Sequence, residues 1–268
     1  MCSNIQVNKY EKVNNGEIHH RAIYEILRRL NSVTLFNFVG LRRSGNHAII
    51  KWILHHYPGF SVHYNDINNS ETPLDVYYII YRWKLGLPAI ACTYEDMQIN
   101  DFLSRKNIFK KTFNHFNILI IRDPFNLFAS RYAWKTEEGH KFRTSIDYRI
   151  KVIALWKDHA KSFLGWSNNS TNCITINYNR WCLDLDYQKK KLKSLKIPAK
   201  KINQLYQIPN FGYGSSFTGI KPIRNKKQFT QRFLSLKENP NFMDIFHDKE
   251  IFELSKPIFG DLNDIISN

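Results

Sequence analysis

The segment FNFVGLRRSGNHAIIKWIL, residues 36–54, sets Arg42, Arg43 and Ser44 between Gly40 and Gly45 and follows them with Asn46 and His47. An apolar run, a glycine-bracketed loop and an amphipathic helix in this order aim several backbone N–H groups at one spot, and the helix N-terminus adds partial positive charge there. Such a loop binds phosphate. Its glycine spacing is that of the nucleoside-triphosphatase loop GxxxxGK[ST], yet the Lys and Ser/Thr positions hold Asn46 and His47. The chain therefore lacks the lysine that neutralises the β and γ phosphates and the hydroxyl that ligates Mg²⁺. Arg42 and Arg43 supply positive charge from within the loop instead. Taken alone, the pattern also fits an ordinary strand-to-helix turn with exposed arginines.

A second pattern, NILIIRDPFNLFASRYAW at 117–134, ends an apolar run on Arg122 and continues through Asp123 and Pro124 into a helix that carries Ser130. Asp and Pro are good helix starters, so Arg122 falls at a strand end and Ser130 about two turns into the helix. A guanidinium and a hydroxyl so placed can grip a second phosphate, distinct from the one in the loop. The competing expectation is that Asp123 caps the helix, Ser130 packs and Arg122 forms a structural ion pair.

Apolar runs of strand length occur at 33–40, 60–64, 89–94, 116–122 and 173–178, with helical periodicity at 46–56, 73–84, 98–105, 124–135 and 145–165. Buried strands alternating with helices imply an α/β three-layer sandwich with a central, mostly parallel sheet flanked by helices. Ligands of such sheets sit at the carboxyl ends of the strands. Residues 1–17 read as a flexible arm and 18–268 as a single domain, with a basic helical stretch to about 206 and a Gly/Ser segment at 209–219.

The 268 residues carry a net charge of +16, which favours anionic ligands without choosing among them. Four cysteines without metal-ligand spacing support neither a zinc site nor a disulfide framework. The polar start and the lack of any long apolar run lead to the expectation of a cytoplasmic protein that does not engage a membrane. No nucleic-acid partner is expected, and the chain is expected to be a monomer or homodimer.

GLRRSGNHAII resembles the 5′-phosphosulfate loop of sulfotransferases that use 3′-phosphoadenosine 5′-phosphosulfate (PAPS), and IRDPFNLFASRY resembles their 3′-phosphate motif, R-[DN]-P-x-[DEN]-x-x-x-S-x-[YF]. ITINYNRW is weakly similar to their strand-end Tyr segment near adenine. The resemblance implies a P-loop NTPase-like sulfotransferase fold, a PAPS donor with 3′,5′-bisphosphoadenosine (PAP) as product, and metal-independent in-line transfer. It places Arg42, Arg43, Ser44, Gly45, Asn46 and His47 on the 5′-phosphosulfate, Arg43 acting on the bridging oxygen. Arg122 and Ser130 would hold the 3′-phosphate. The chain departs from members acting on phenols, which place two threonines and an adenine-packing Trp after the loop glycine, and it lacks their Arg-Lys-Gly closing signature. Trp52, Tyr178 or Phe217 could pack on adenine, and Ser215, Ser216, Lys221 or Arg224 could replace the closing segment.

Transfer to a hydroxyl or amine benefits from a general base, for which the strand ends offer His63, Asp66, Glu95 and Asp96, with Glu95 narrowly preferred. A small-molecule acceptor is expected, of the secondary-metabolite or alkaloid kind, and Glu71, Asp75, Glu137 and Glu138 could receive a cationic one. The rival readings are a carbohydrate or protein-tyrosine sulfotransferase, a degenerate kinase, and a non-catalytic nucleotide- or nucleic-acid-binding module.

Overall fold

The computed structural model describes residues 34–67, 89–104, 114–167, 173–198 and 232–261, and within them five strands lie side by side in one sheet. These are β1 Thr34–Gly40, β2 Ser61–Tyr64, β3 Ala89–Glu95, β4 Asn114–Ile121 and β5 Ile174–Asn177. All pairings are parallel, in the order β2-β3-β1-β4-β5. β1 is central, and all seven of its residues are buried, as a strand covered on both faces requires.

Alternation along the strands divides the core in two. Phe36, Phe38, Ala89, Ala91, Ile118, Ile120 and Ile176 face α1 Asn46–His56, α6 Tyr178–Leu183 and α7 Leu185–Ser194. On the other face Leu35, Val39, Ile90, Cys92 and Leu119 pack with Ile99 and Phe102 of α2 Ile99–Ser104. Beside them a third cluster joins Ile121 to α3 Pro124–Tyr132, α4 Glu137–Thr144, α5 Ile146–Phe163 and the C-terminal pair α8 Pro240–Met243 and α9 Lys249–Phe259. Helices thus cover both faces of a parallel sheet, the three-layer α/β architecture expected from the sequence. From β1 the chain runs to the β2 side and from β4 to the β5 side, so the carboxyl ends of these two neighbours flank the crevice where such sheets bind ligands.

The observed elements correct several boundaries. The helix expected over 124–135 stops at Tyr132, because Arg143 Nη1 donates to the carbonyls of Tyr132 and Trp134 and a new helix, α4, starts where Thr136 Oγ1 accepts from Gly139 N. That helix was not anticipated, since only Gly139 and Phe142 of its eight residues are buried and its apolar periodicity is faint. Tyr178, expected to end β5, instead opens α6 after Asn177 caps it by accepting from Arg180 N at 3.0 Å. Arg122 lies one residue beyond β4. The arm at 1–17 and the helix expected at 73–84 lie outside the described residues.

Trp52, one candidate for packing on adenine, is fully buried in α1, edge-on to Trp181 at 5.7 Å and to His56 at 6.0 Å. It belongs to the core and not to the crevice. Trp52→Ala is therefore expected to lower the unfolding free energy by about 3–5 kcal/mol in urea denaturation.

Candidate functional site

At the end of β1 the loop turns through Arg43 at φ 75° and Gly45 at φ 87°, and α1 begins at Asn46. Glycine is required at position 45 twice over: by its left-handed backbone, and because the Tyr178 ring packs so closely that a Cβ would overlap its Cδ2 and Cε2 atoms. Helices α3 to α9 each start with a side-chain cap, from Asp123, Thr136, Ser145, Asn177, Asp184, Asn239 and Asp248. The cap position of α1 is Gly45, with no side-chain cap bond, so the first-turn N–H groups face the loop without one. Ser44, 1% exposed, is held by its N–H bond to the Leu41 carbonyl at 3.0 Å.

Four arginines meet beside this loop. Arg43 Nε donates to Ser130 Oγ at 3.2 Å, and Arg232 Nη1 donates to the same oxygen at 3.3 Å. Arg122 Nη1 donates to the Arg43 carbonyl at 3.0 Å, and its guanidinium lies over the Tyr178 ring at 5.1 Å. Arg131, next to Ser130 and 1% exposed, is anchored on Asp96. Burial and mutual repulsion push Arg43 down to about 10 and Arg232 to about 9, so both stay cationic at neutral pH. Arg122 is 2% exposed, yet among the described residues its Nε and Nη2 have no hydrogen-bond partner. Among the described residues Arg122 makes no ion pair, and Asp123 is engaged instead with Asn126 and Asn179.

The two motifs are therefore in direct contact through Arg43 and Ser130. Arg43 reaches across to Ser130 and lies over the Trp134 ring at 5.3 Å. Tyr178 is present as a platform beneath Gly45 and Arg122, 4% exposed, stacked on Trp181.

Arg42 points the other way, into carboxylates. It pairs with Asp66, donates to Glu138 Oε1 at 2.9 Å, and its Nε lies 3.7 Å from Glu95 and 3.9 Å from Asp96. Asp96 Oδ1 also accepts the Arg42 N–H at 3.0 Å, so a single carboxylate ties the loop to Arg131. Asp66 and Asp96 hold left-handed backbones at φ 53° and 55°, a strain of roughly 1 kcal/mol or more each that the surrounding bonds must offset.

Glu95 Oε1 accepts from Asn46 Nδ2 at 2.8 Å, and Asn46 Nδ2 also donates to the Leu41 carbonyl at 3.2 Å. Burial raises the Glu95 carboxyl above its ordinary range, against the opposing effects of His47 and of the Asn46 bond. His63 meets Thr93 Oγ1 at 2.7 Å and the His47 ring edge-on at 5.9 Å, while His47 Nε2 meets Asn65 Oδ1 at 2.8 Å. Burial, then the charge of His47, push His63 down to about 3.

The structure thus gathers Arg42, Arg43, Ser44, Gly45, Asn46, His47, His63, Asp66, Glu95, Arg122, Ser130 and Tyr178 at one end of the sheet. Glu137 stands apart, pairing with Lys141 on the surface. Ser215, Ser216, Phe217, Lys221, Arg224, Glu71 and Asp75 lie outside the described residues. Sequence reasoning missed Arg131, although it adjoins Ser130, and Arg232, which no local pattern marks.

No family model matches the chain, and no curated protein matches it. Among solved structures, mouse sulfotransferase SULT7A1 complexed with PAP is similar at 15% identity and a TM-score of 0.46, over 86% of this chain and 94% of that one. Among the described residues, no group of three or more His, Cys, Asp or Glu side chains is arranged to hold a metal ion, and no helix is long and apolar enough to cross a membrane.

A histidine whose folded pKa lies below its unfolded value binds fewer protons when folded, so acidification favours unfolding. For His63 that window runs from the ordinary 6.5 down to about 3. Stability measured by urea denaturation is expected to fall across it by up to roughly 1.4 kcal/mol per pH unit from this group, and less steeply in His63→Gln.

Proposed function

We propose that the chain is a sulfotransferase that moves a sulfuryl group from PAPS to a hydroxyl or amine of a small-molecule acceptor. The observation that carries this reading is Arg122, buried with two nitrogens that lack a hydrogen-bond partner among the described residues, beside three further guanidinium groups and one hydroxyl. Unpaired N–H groups of a buried cation cost on the order of several kcal/mol unless a ligand completes them. A phosphate does so well, since guanidinium nitrogens match its oxygens in pairs.

In this reading Arg122, Ser130 and Arg232 hold the 3′-phosphate, and Tyr178 keeps Arg122 aligned. The uncapped start of α1 with Ser44, Asn46 and His47 receives the 5′ end. Arg43 bridges the two: it bonds Ser130 from a loop position beside the α1 N-terminus, where its charge can oppose the negative charge that grows on the bridging oxygen as the bond to sulfur breaks. Bound there, the donor would supply a sulfuryl group already attached to a good leaving group.

Glu95 is best suited to take the acceptor proton. It stands at the end of β3, bonded to the first residue of α1, and its raised pKa strengthens it as a base. Asp66 is committed to Arg42, and His63, at about 3, is too weakly basic. Asp66, Glu95, Asp96 and Glu138 make this end acidic in a protein of net charge +16, which suits an acceptor with a cationic group.

PAP at a hundredfold over its dissociation constant is expected to stabilise the protein by roughly 2.7 kcal/mol, read as a thermal shift. Arg122→Ala should weaken PAP binding by roughly 3 kcal/mol, on the order of a hundredfold, by removing two charge-assisted bonds. No shift with PAP, or an Arg122→Ala protein that binds equally well, would refute the assignment. In an acceptor assay the rate should rise with pH through the elevated Glu95 pKa, because only the ionised carboxylate accepts a proton. Glu95→Gln should lower the rate by roughly 10²–10⁴-fold and abolish that limb while leaving PAP affinity unchanged.

A further inference from the structure

Helices α6 and α7 carry a feature that the proposed chemistry does not use. Leu183 and Leu185 are 45% and 55% exposed at the junction of the two helices, although the chain buries Tyr187, Leu192, Leu195 and Ile197 just beyond. Leu185, Lys189 and Lys193 are spaced four residues apart and share the outer face of α7, with exposed Lys190 and Lys196 beside them. Residues 178–198 contain six basic side chains (Arg180, Lys189, Lys190, Lys191, Lys193, Lys196) and two acidic ones (Asp184, Asp186), a local excess of +4. Asp184 is occupied in capping α7 and pairing with Arg180, which leaves Asp186, bonded to Lys189 at 3.0 Å, as the acidic side chain on that face. The inner face is anchored: Gln188 Nε2 donates to the Trp181 carbonyl at 2.6 Å, and the Tyr187 hydroxyl oxygen accepts the Asn177 N–H at 2.9 Å. The outer face is therefore presented on a fixed support.

We propose that this face docks the protein onto a bilayer surface rich in anionic headgroups, with Leu183 and Leu185 entering the headgroup–acyl boundary and the lysines meeting lipid phosphates and carboxylates. Charge complementarity selects an anionic partner, and the two exposed leucines select a bilayer over nucleic acid. Exposed apolar side chains next to lysines are what an interfacial helix uses, whereas a nucleic-acid groove would present aromatic or hydrogen-bonding side chains. The expectation of no membrane contact rested on the lack of a long apolar run, which concerns spanning and not surface attachment.

The test is co-sedimentation of the full chain with phosphatidylcholine vesicles with and without about 30 mol% phosphatidylserine, at low and high salt, with a single-stranded RNA oligonucleotide as competitor. Binding should require phosphatidylserine and weaken with salt. It should fall roughly tenfold or more in Lys189→Glu/Lys193→Glu. Leu183→Ser/Leu185→Ser should weaken it at unchanged net charge, and the circular dichroism melting of both variants should match the parent. Absence of binding to phosphatidylserine vesicles, or binding that neither variant changes, would overturn the proposal. So would RNA that binds the face and displaces the vesicles while the leucine variant binds them as the parent does.

Discussion

Four guanidinium groups gathered beside one loop, two of them bonded to the same serine hydroxyl, repel one another, and the structure at the carboxyl edge of the sheet is organised to hold them there. Arg122 rests on Tyr178 and bonds the loop backbone through Arg43, Arg131 is anchored by Asp96, and Arg43 and Arg232 share Ser130. At separations of several ångströms such like charges cost on the order of a few kcal/mol even with substantial screening. A bound anion would offset that cost. The same strain shows in the backbone, where Arg43, Asp66 and Asp96 all adopt left-handed conformations at the tips of their connections.

The parallel sheet makes this concentration of charge mechanically feasible. β1 and β4 are adjacent, register-locked from Thr34 to Gly40 against Asn114 to Ile120, and end together. Whatever follows each strand must therefore meet its neighbour, and the loop after β1 and the Arg122 turn after β4 do meet, through Arg43 and Ser130. Arg42 and Arg43, adjacent in sequence, diverge: one enters the carboxylates of Asp66, Glu138 and Glu95, the other joins the arginines. The positive φ of Arg43 is the local reason, since a left-handed residue reverses the course of the chain. The crevice thereby acquires a cationic end and an acidic end within one loop.

Much of this was legible from residues. The five apolar runs mark five strands because a strand buried on both faces cannot be polar, and the Gly40–Gly45 and Asp123–Pro124 patterns mark helix starts because each has a backbone reason to exist. What could not be read is what depends on long-range packing. α4 was missed since its eight residues bury only Gly139 and Phe142. Trp52 looked available for a ligand because periodicity places it on a helix face without saying which way that face turns. Arg232 reaches Ser130 across a sequence separation of 102 residues, and nothing near it announces that contact. The meeting of Arg43 with Ser130 is of the same kind: both were candidates, but their contact is a property of the sheet order.

The central claim is that the arginine cluster around Arg122 recognises a phosphate on the 3′ position of a donor nucleotide. Isothermal titration with PAP against adenosine 5′-monophosphate, which differs only by that phosphate, tests it most directly. The expected result is affinity for PAP higher by roughly two orders of magnitude or more, as loss of two or more charge-assisted bonds requires. Equal affinities for the two nucleotides would contradict it.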